Sequence, residues 1–155
     1  LPAESDIMTA FIHNDDDKYL LISFLGKGFV VNATEVLSQT KSGKIIMNFA
    51  DGDYPLYAVS VLNREMIAIV GQNRKMLIFE TKDIPVINKG QGVFLQRFDI
   101  GGISDIRLFN KDEGLKYKTI NGVIKNIEDI TPWQGKRASK GSILMPTFLR
   151  TNKFE

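Results

Sequence analysis

Lys41 with Lys44, Lys89 and Lys140 each stand in a turn of glycine or serine just ahead of an apolar run. The three stretches read KSGKIIMNF from 41, NKGQGVFLQRF from 88 and ASKGSILMPTF from 138. Lys27, Arg74 with Lys75, and Lys125 recur near the preceding turn of each repeat, while Arg97, Lys136 and Arg137 add charge close by. Ammonium and guanidinium groups at regular spacing bind anions, and a track of them suits the phosphates of a duplex without reading its bases. Lysine at a turn also keeps a hairpin soluble and guards its edge strand. On repeat phase alone the two readings stand level.

Other chemistry is poorly supplied. His13 is the single histidine, which excludes a histidine triad or a multi-histidine metal site. Absence of cysteine removes disulfides and thiolate metal sites. Asp15-Asp16-Asp17 and the pair Asp51 and Asp53 carry oxygens suited to Mg²⁺ or Ca²⁺, but they lack calcium-loop spacing and fit turn chemistry. Gly26-Lys27-Gly28 lacks the frame and following helix of a phosphate loop. No carboxylate pair stands out as a hydrolase would need. No catalytic residue, metal or cofactor is therefore expected within these residues.

The elements that would position the basic turns are short strands. Apolar runs rich in Ile, Val, Phe and Tyr cover Tyr19 to Leu25, Phe29 to Val31, Ile45 to Phe49, Leu56 to Leu62, Met66 to Val70 and Met76 to Phe79. They continue at Val93 to Phe98, Ile106 to Phe109, Val123 to Ile127 and Ile143 to Met145. Turn residues separate them, and Gly90 to Leu115 alternates glycine turns with strand-like runs so closely that no helix fits. Ala33 to Ser38 could form about one helical turn.

YLLISFLGKGFVVNATEVL (19 to 37), EMIAIVGQNRKMLIFETKDI (65 to 84) and LKYKTINGVIKNIEDI (115 to 130) share one plan: strand, turn, strand, then an acidic residue. From Ile45 to Val93 is 48 residues and from Val93 to Ile143 is 50. A period of this size, with four short strands in each, predicts an all-β, propeller-like array. About three blades are expected, at roughly 16–62, 63–110 and 111–150, each needing neighbours to cover it. The first seventeen residues, with Ile7 to Ile12 as a possible strand, read as the end of a preceding unit, so the chain is expected to be a piece of a longer polypeptide.

At 155 residues, 43% hydrophobic and 25% charged, the chain is long enough for a sizeable core. No apolar run approaches the length of a transmembrane helix, and Leu1 to Ala10 lacks a basic signal-peptide start. The net charge of +2 conceals an asymmetry. Residues 1–63 hold four basic and eight acidic side chains, while 64–155 hold sixteen and ten. Thr131 to Phe154 carries Lys136, Arg137, Lys140, Arg150 and Lys153 without one acid. Such bias speaks of partners rather than fold.

Gly90, Gly92, Val93, Leu95, Gln96, Arg97 and Phe98, then Gly101, Gly102, Ser104 and Asp105, and later Gly114 and Leu115, form a pattern that resembles the last repeats of the bacterial topoisomerase IV family, in its A subunit. Pro132, Trp133, Gly135, Lys136 and Arg137 extend it, and Arg150, Asn152, Lys153 and Phe154 are similar to that family's C-terminal tail. Ile103 stands where the family often has leucine, and Tyr117 where it often has tryptophan. The glutamine-arginine-arginine-glycine box of the related gyrase chain is absent.

The resemblance implies a β-pinwheel whose rim binds and bends duplex DNA, selecting and presenting a segment rather than wrapping it strongly. It implies a parent enzyme that passes one duplex through another in chromosome decatenation, using ATP and Mg²⁺ held elsewhere. The implied partners are the B subunit of topoisomerase IV, with a second copy of the A subunit, in a cytoplasmic, chromosome-associated setting. The DNA-binding candidates are Lys27, Lys41, Lys44, Arg74, Lys75, Lys89, Arg97, Lys125, Lys136, Arg137 and Lys140. The rival readings are a propeller-like protein-interaction module, which predicts a contiguous exposed apolar patch, and a small carboxylate enzyme, which predicts a deep pocket with perturbed acids.

Overall fold

A computed structural model describes residues 18–32, 52–61, 63–86 and 92–155. The expectations placed on Ile7 to Ile12, Ala33 to Ser38 and Ile45 to Phe49 lie outside these residues, as do His13, Asp15 to Asp17 and Asp51. Among the described residues the structure is almost entirely β, with two single 3₁₀ turns, Thr81–Asp83 and Thr131–Trp133. The chain divides into two compact units, Leu1–Asn63 with Ile84–Phe94, and Arg64–Asp83 with Leu95–Glu155.

The first unit holds a four-stranded sheet built on the hairpin of β1 (Lys18–Ser23) and β2 (Lys27–Asn32). Tyr19 to Ser23 and Gly28 to Val31 are buried without a break. A strand covered on both faces reads as a continuous apolar run rather than an alternation, which is why YLLI and FVV carry no polar step. Each fully buried Leu, Ile or Phe here contributes about 1.5–3 kcal/mol. β3 (Pro55–Ser60) pairs antiparallel with β1, and the two-residue β6 (Val93–Phe94) pairs antiparallel with β2, giving the order β3-β1-β2-β6. Asp53 serves as turn chemistry, its Oδ1 accepting from the amides of Leu25 and Tyr54 at 2.9 Å each.

The second unit repeats the plan. β4 (Met66–Gly71) and β5 (Lys75–Glu80) form the central hairpin, flanked by β7 (Ile103–Phe109) and the short β10 (Ser142–Ile143) in the order β10-β5-β4-β7. A separate two-stranded sheet of β8 (Leu115–Lys118) and β9 (Ile124–Ile127) follows. Met66, Ala68, Val70, Met76, Ile78, Phe109, Leu115, Tyr117 and Ile127 form its core with Leu144, Phe148 and Phe154. Trp133 packs against this core and donates from Nε1 to the Ile143 carbonyl at 3.0 Å, and Tyr117 stacks on Phe148 with ring centres 5.5 Å apart. These aromatics are packing residues. Ile103 and Tyr117 are both buried.

Sheet membership does not follow contiguous stretches of chain. In each complete sheet the fourth strand arrives after the next hairpin has been made, so residues 93–94 close the sheet begun at 18 and residues 142–143 close the sheet begun at 66. The run Val93 to Phe98 is accordingly a strand only at its first two residues. Leu95 leaves the sheet because its carbonyl accepts from Ala138 and the Arg97 amide donates to Ser139.

Candidate nucleic-acid interface

Five basic residues of the second unit stand on backbone joined by hydrogen bonds between Leu95–Arg97 and Ala138–Lys140, beside the start of β5. Ala138 donates to the Leu95 carbonyl at 2.9 Å and Arg97 to that of Ser139 at 3.0 Å. Gln96, fully buried, lies between them and directs Nε2 to the Lys140 carbonyl at 3.1 Å and more weakly to that of Lys75 at 3.5 Å. Its two amide contacts are both to carbonyls, which fixes the orientation of the side chain. Lys136 and Arg137 sit in a tight turn closed by Ser139 on the Lys136 carbonyl at 3.1 Å, and Gly135 ties that turn to Ile78 of β5 at 3.0 Å. Lys75, Arg97, Lys136, Arg137 and Lys140 are thereby carried on adjoining backbone at one region of the unit. Arg97, Lys136 and Lys140 are exposed, Lys75 and Arg137 half-buried.

An acid also enters this region. Asp99 holds the Lys140 ammonium at 3.0 Å, with both side chains largely exposed. In water such a pair is worth about 0–1 kcal/mol, too little to withhold Lys140 from a phosphate. Asp99 and Gln96 are the members that sequence reasoning missed as parts of the region. Their signal was proximity to Arg97.

The remaining candidates are placed differently. Arg74, at the tip of the β4–β5 hairpin, has φ 60° and turns its guanidinium onto the C-terminal segment. Nη1 donates to the Leu149 carbonyl at 3.0 Å and to Asn152 Oδ1 at 2.9 Å, and Nη2 reaches the Phe148 carbonyl at 3.4 Å. Lys27, in the first unit, opens β2 opposite Phe94 of β6 and sets its ammonium 5.0 Å from that ring centre. Lys75 holds the matching position opposite Ile143 in the second unit. Lys125 is exposed on β9, opposite Tyr117, in the separate two-stranded sheet. Lys41, Lys44 and Lys89 lie outside the described residues.

Asp129 lines an open cleft of about 320 Å³ with Asp112 and Glu128. Hydrogen bonds from Thr131 hold its carboxyl below the usual carboxylate range, the opposite of what a general acid requires. Among the described residues no group of three or more acids or histidines is arranged to hold a metal ion.

A profile for the family described as "DNA gyrase C-terminal domain, beta-propeller" matches residues 17–54 and 65–102, the two hairpin repeats. The A subunit of DNA topoisomerase 4 from Rickettsia felis is 42% identical over 150 residues, which is 97% of this chain and 20% of that protein. The chain belongs to the gyrase A C-terminal domain family. Within it, the chain is also 32% identical to the corresponding topoisomerase 4 protein of Caulobacter vibrioides over 95% of its length and 19% of the relative's. It thus spans about a fifth of the curated relatives it matches.

Solved members share the architecture. The Escherichia coli ParC C-terminal domain superposes with a TM-score of 0.73 at 17% identity, covering 89% of this chain and 59% of that one. A DNA gyrase A C-terminal domain gives 0.62 at 22% identity, covering 83% and 43%. The fold is the family's β-pinwheel, and the delivery of fourth strands from downstream is how this member builds it.

Proposed function

We propose that this chain is a duplex-DNA-binding domain of a type IIA topoisomerase, of the kind found in the A subunit of topoisomerase IV, and that it holds DNA by its phosphates. The observation that carries the proposal is the gathering of Lys75, Arg97, Lys136, Arg137 and Lys140 on adjoining backbone of the second unit. Flexible, hydrated cations of this sort position a polyanion and carry no base code. The domain would bind and bend a segment for presentation to a parent enzyme that works with a B subunit, together with a second copy of its own chain. ATP and Mg²⁺ would belong to that parent, which would act on the chromosome in the cytoplasm. No helix among the described residues is long and apolar enough to cross a membrane.

The test is a gel-shift titration of duplex DNA against salt. Counterion release gives a log–log slope of about −0.9 per phosphate engaged, so five cations predict about −4 to −5. Lys140→Ala should make that slope shallower by about one. Affinity that hardly changes between low and physiological salt would sink the reading. The protein-interaction alternative draws on a different observation, the exposure of Ile120, Val123 and Ile124 on the β8–β9 hairpin.

A further inference from the structure

The hairpin of β8 and β9 is built like the two central hairpins, yet it stands as a two-stranded sheet where they stand in four-stranded ones. Its open edge can be located from the register. Lys118 lies opposite Ile124 and Lys116 opposite Asn126, and the Lys118 amide donates away from β9, to the Phe154 carbonyl at 2.6 Å. Residues directly opposite one another in an antiparallel pair point their backbone groups the same way, both inward or both outward. The amides and carbonyls of Ile124 and Asn126 therefore face away from β8. Among the described residues no strand pairs with them.

The repeat shows what such an edge takes. Gly28 on β2 pairs with Val93, and Met76 on β5, 48 residues later, pairs with Ser142. Ile124 lies a further 48 residues on, at the corresponding place on β9. Both docked strands are led by a glycine in the left-handed region, Gly92 at φ 78° and Gly141 at φ 81°. Each glycine sits flat on the carbonyl of the strand it joins. A Cβ at position 141 would stand 2.5 Å from the Met76 oxygen, and one at 92 would collide with the Gly28 carbonyl. Glycine is required there twice over, by φ and by the closeness of the backbone.

We propose that the outer edge of β9 is a docking site for a short extended polypeptide segment led by glycine, the Gly-X-aliphatic or Gly-X-aromatic kind that another repeat of this architecture supplies. The glycine packs on the Ile124 carbonyl, the next residue pairs with Ile124, and the aliphatic or aromatic residue pairs with Val123. Exposed Val123, at 52%, lies on the face that side chain would take and gives it an apolar neighbour. Main-chain pairing supplies the affinity and the glycine the selectivity, as in strand addition to a sheet edge. Docking there needs no nucleic acid.

The experiment titrates the ¹⁵N-labelled 155-residue chain with a synthetic peptide of the sequence of residues 138–145, ASKGSILM. Shift changes at Ile124 and Asn126, with slowed amide exchange at Ile124, are expected, saturating at one peptide per chain. The same peptide with alanine for glycine should bind about tenfold more weakly or worse, since an L residue resists that φ by about 1–2 kcal/mol before any clash. Because the variation is in the peptide, the folding of the chain is not at issue. Equal binding of the two peptides, changes confined to the β5 edge, or no change at Ile124 and Asn126 would each overturn the proposal.

Discussion

Arg74 and Lys75 are neighbours in sequence, and both fit a basic-turn pattern, yet their charges serve different ends. Three acceptors of the C-terminal segment converge on the Arg74 guanidinium, while Lys75 opens β5 beside Gln96. Arg74→Ala leaves those acceptors short of a donor, so the expected loss is in stability, about 1–3 kcal/mol by denaturant unfolding. Its direct effect on DNA affinity should be slight when the measurement is made where the variant is folded. A second arginine anchors the same segment. Arg107 sits 2.7 Å from Glu155 and holds its carboxyl below the ordinary value of 4.5. A carboxyl whose folded value is depressed stabilises above its unfolded value, and the stabilisation is lost as pH falls through the folded one. Glu155→Gln should therefore lower the thermal midpoint at neutral pH, with the difference from the parent closing as pH falls below 4.5. A pH-independent difference would show that this ion pair does not contribute.

At the scale of elements, the continuous apolar runs of β1, β2, β4 and β5 were legible because burial on both faces leaves no alternation to misread. Register between distant strands was not. The two residues of β6 and of β10 give no periodicity, and what holds them is the approach of Gly92 and Gly141 to a carbonyl, which only coordinates reveal. That approach gives a sharp contrast between two glycines of similar φ. Gly122, at 81°, has open space where a Cβ would go, whereas the same atom at Gly141 meets the Met76 carbonyl. Gly122→Ala should cost about 1–2 kcal/mol from backbone conformation alone. Gly141→Ala should cost more and release the β10 amides to rapid hydrogen exchange. Equal costs would mean that β10 is not seated as described.

For the molecule as a whole, charge asymmetry pointed to the second half of the chain, where the gathered cations are, while repeat phase spread its candidates over all three repeats. Lys136 and Arg137 could be named from the acid-free closing segment, but their meeting with Arg97 depends on hydrogen bonds across some forty residues, and local sequence holds no record of that. The separate placement of Lys125 was equally hidden, since a shared repeat position does not fix what surrounds it. Contacts drawn from flexible lysines and arginines to phosphate imply near indifference to base order. Unrelated duplexes of equal length should therefore compete within a few-fold of one another at fixed salt, and strong discrimination between them would point to base-edge contacts.

Late arrival of the fourth strands bears on how the chain is made. When Gly28 is translated, the residue that will cover it is still about 65 codons away. At about 5–20 residues per second the nascent hairpin waits about three to thirteen seconds with an uncovered margin. The same interval recurs for β5 before Ser142 is synthesised. Translation speed through the intervening codons thus sets how long each half-built sheet is open to mispairing, and slowing it should raise the aggregated fraction without altering the finished protein.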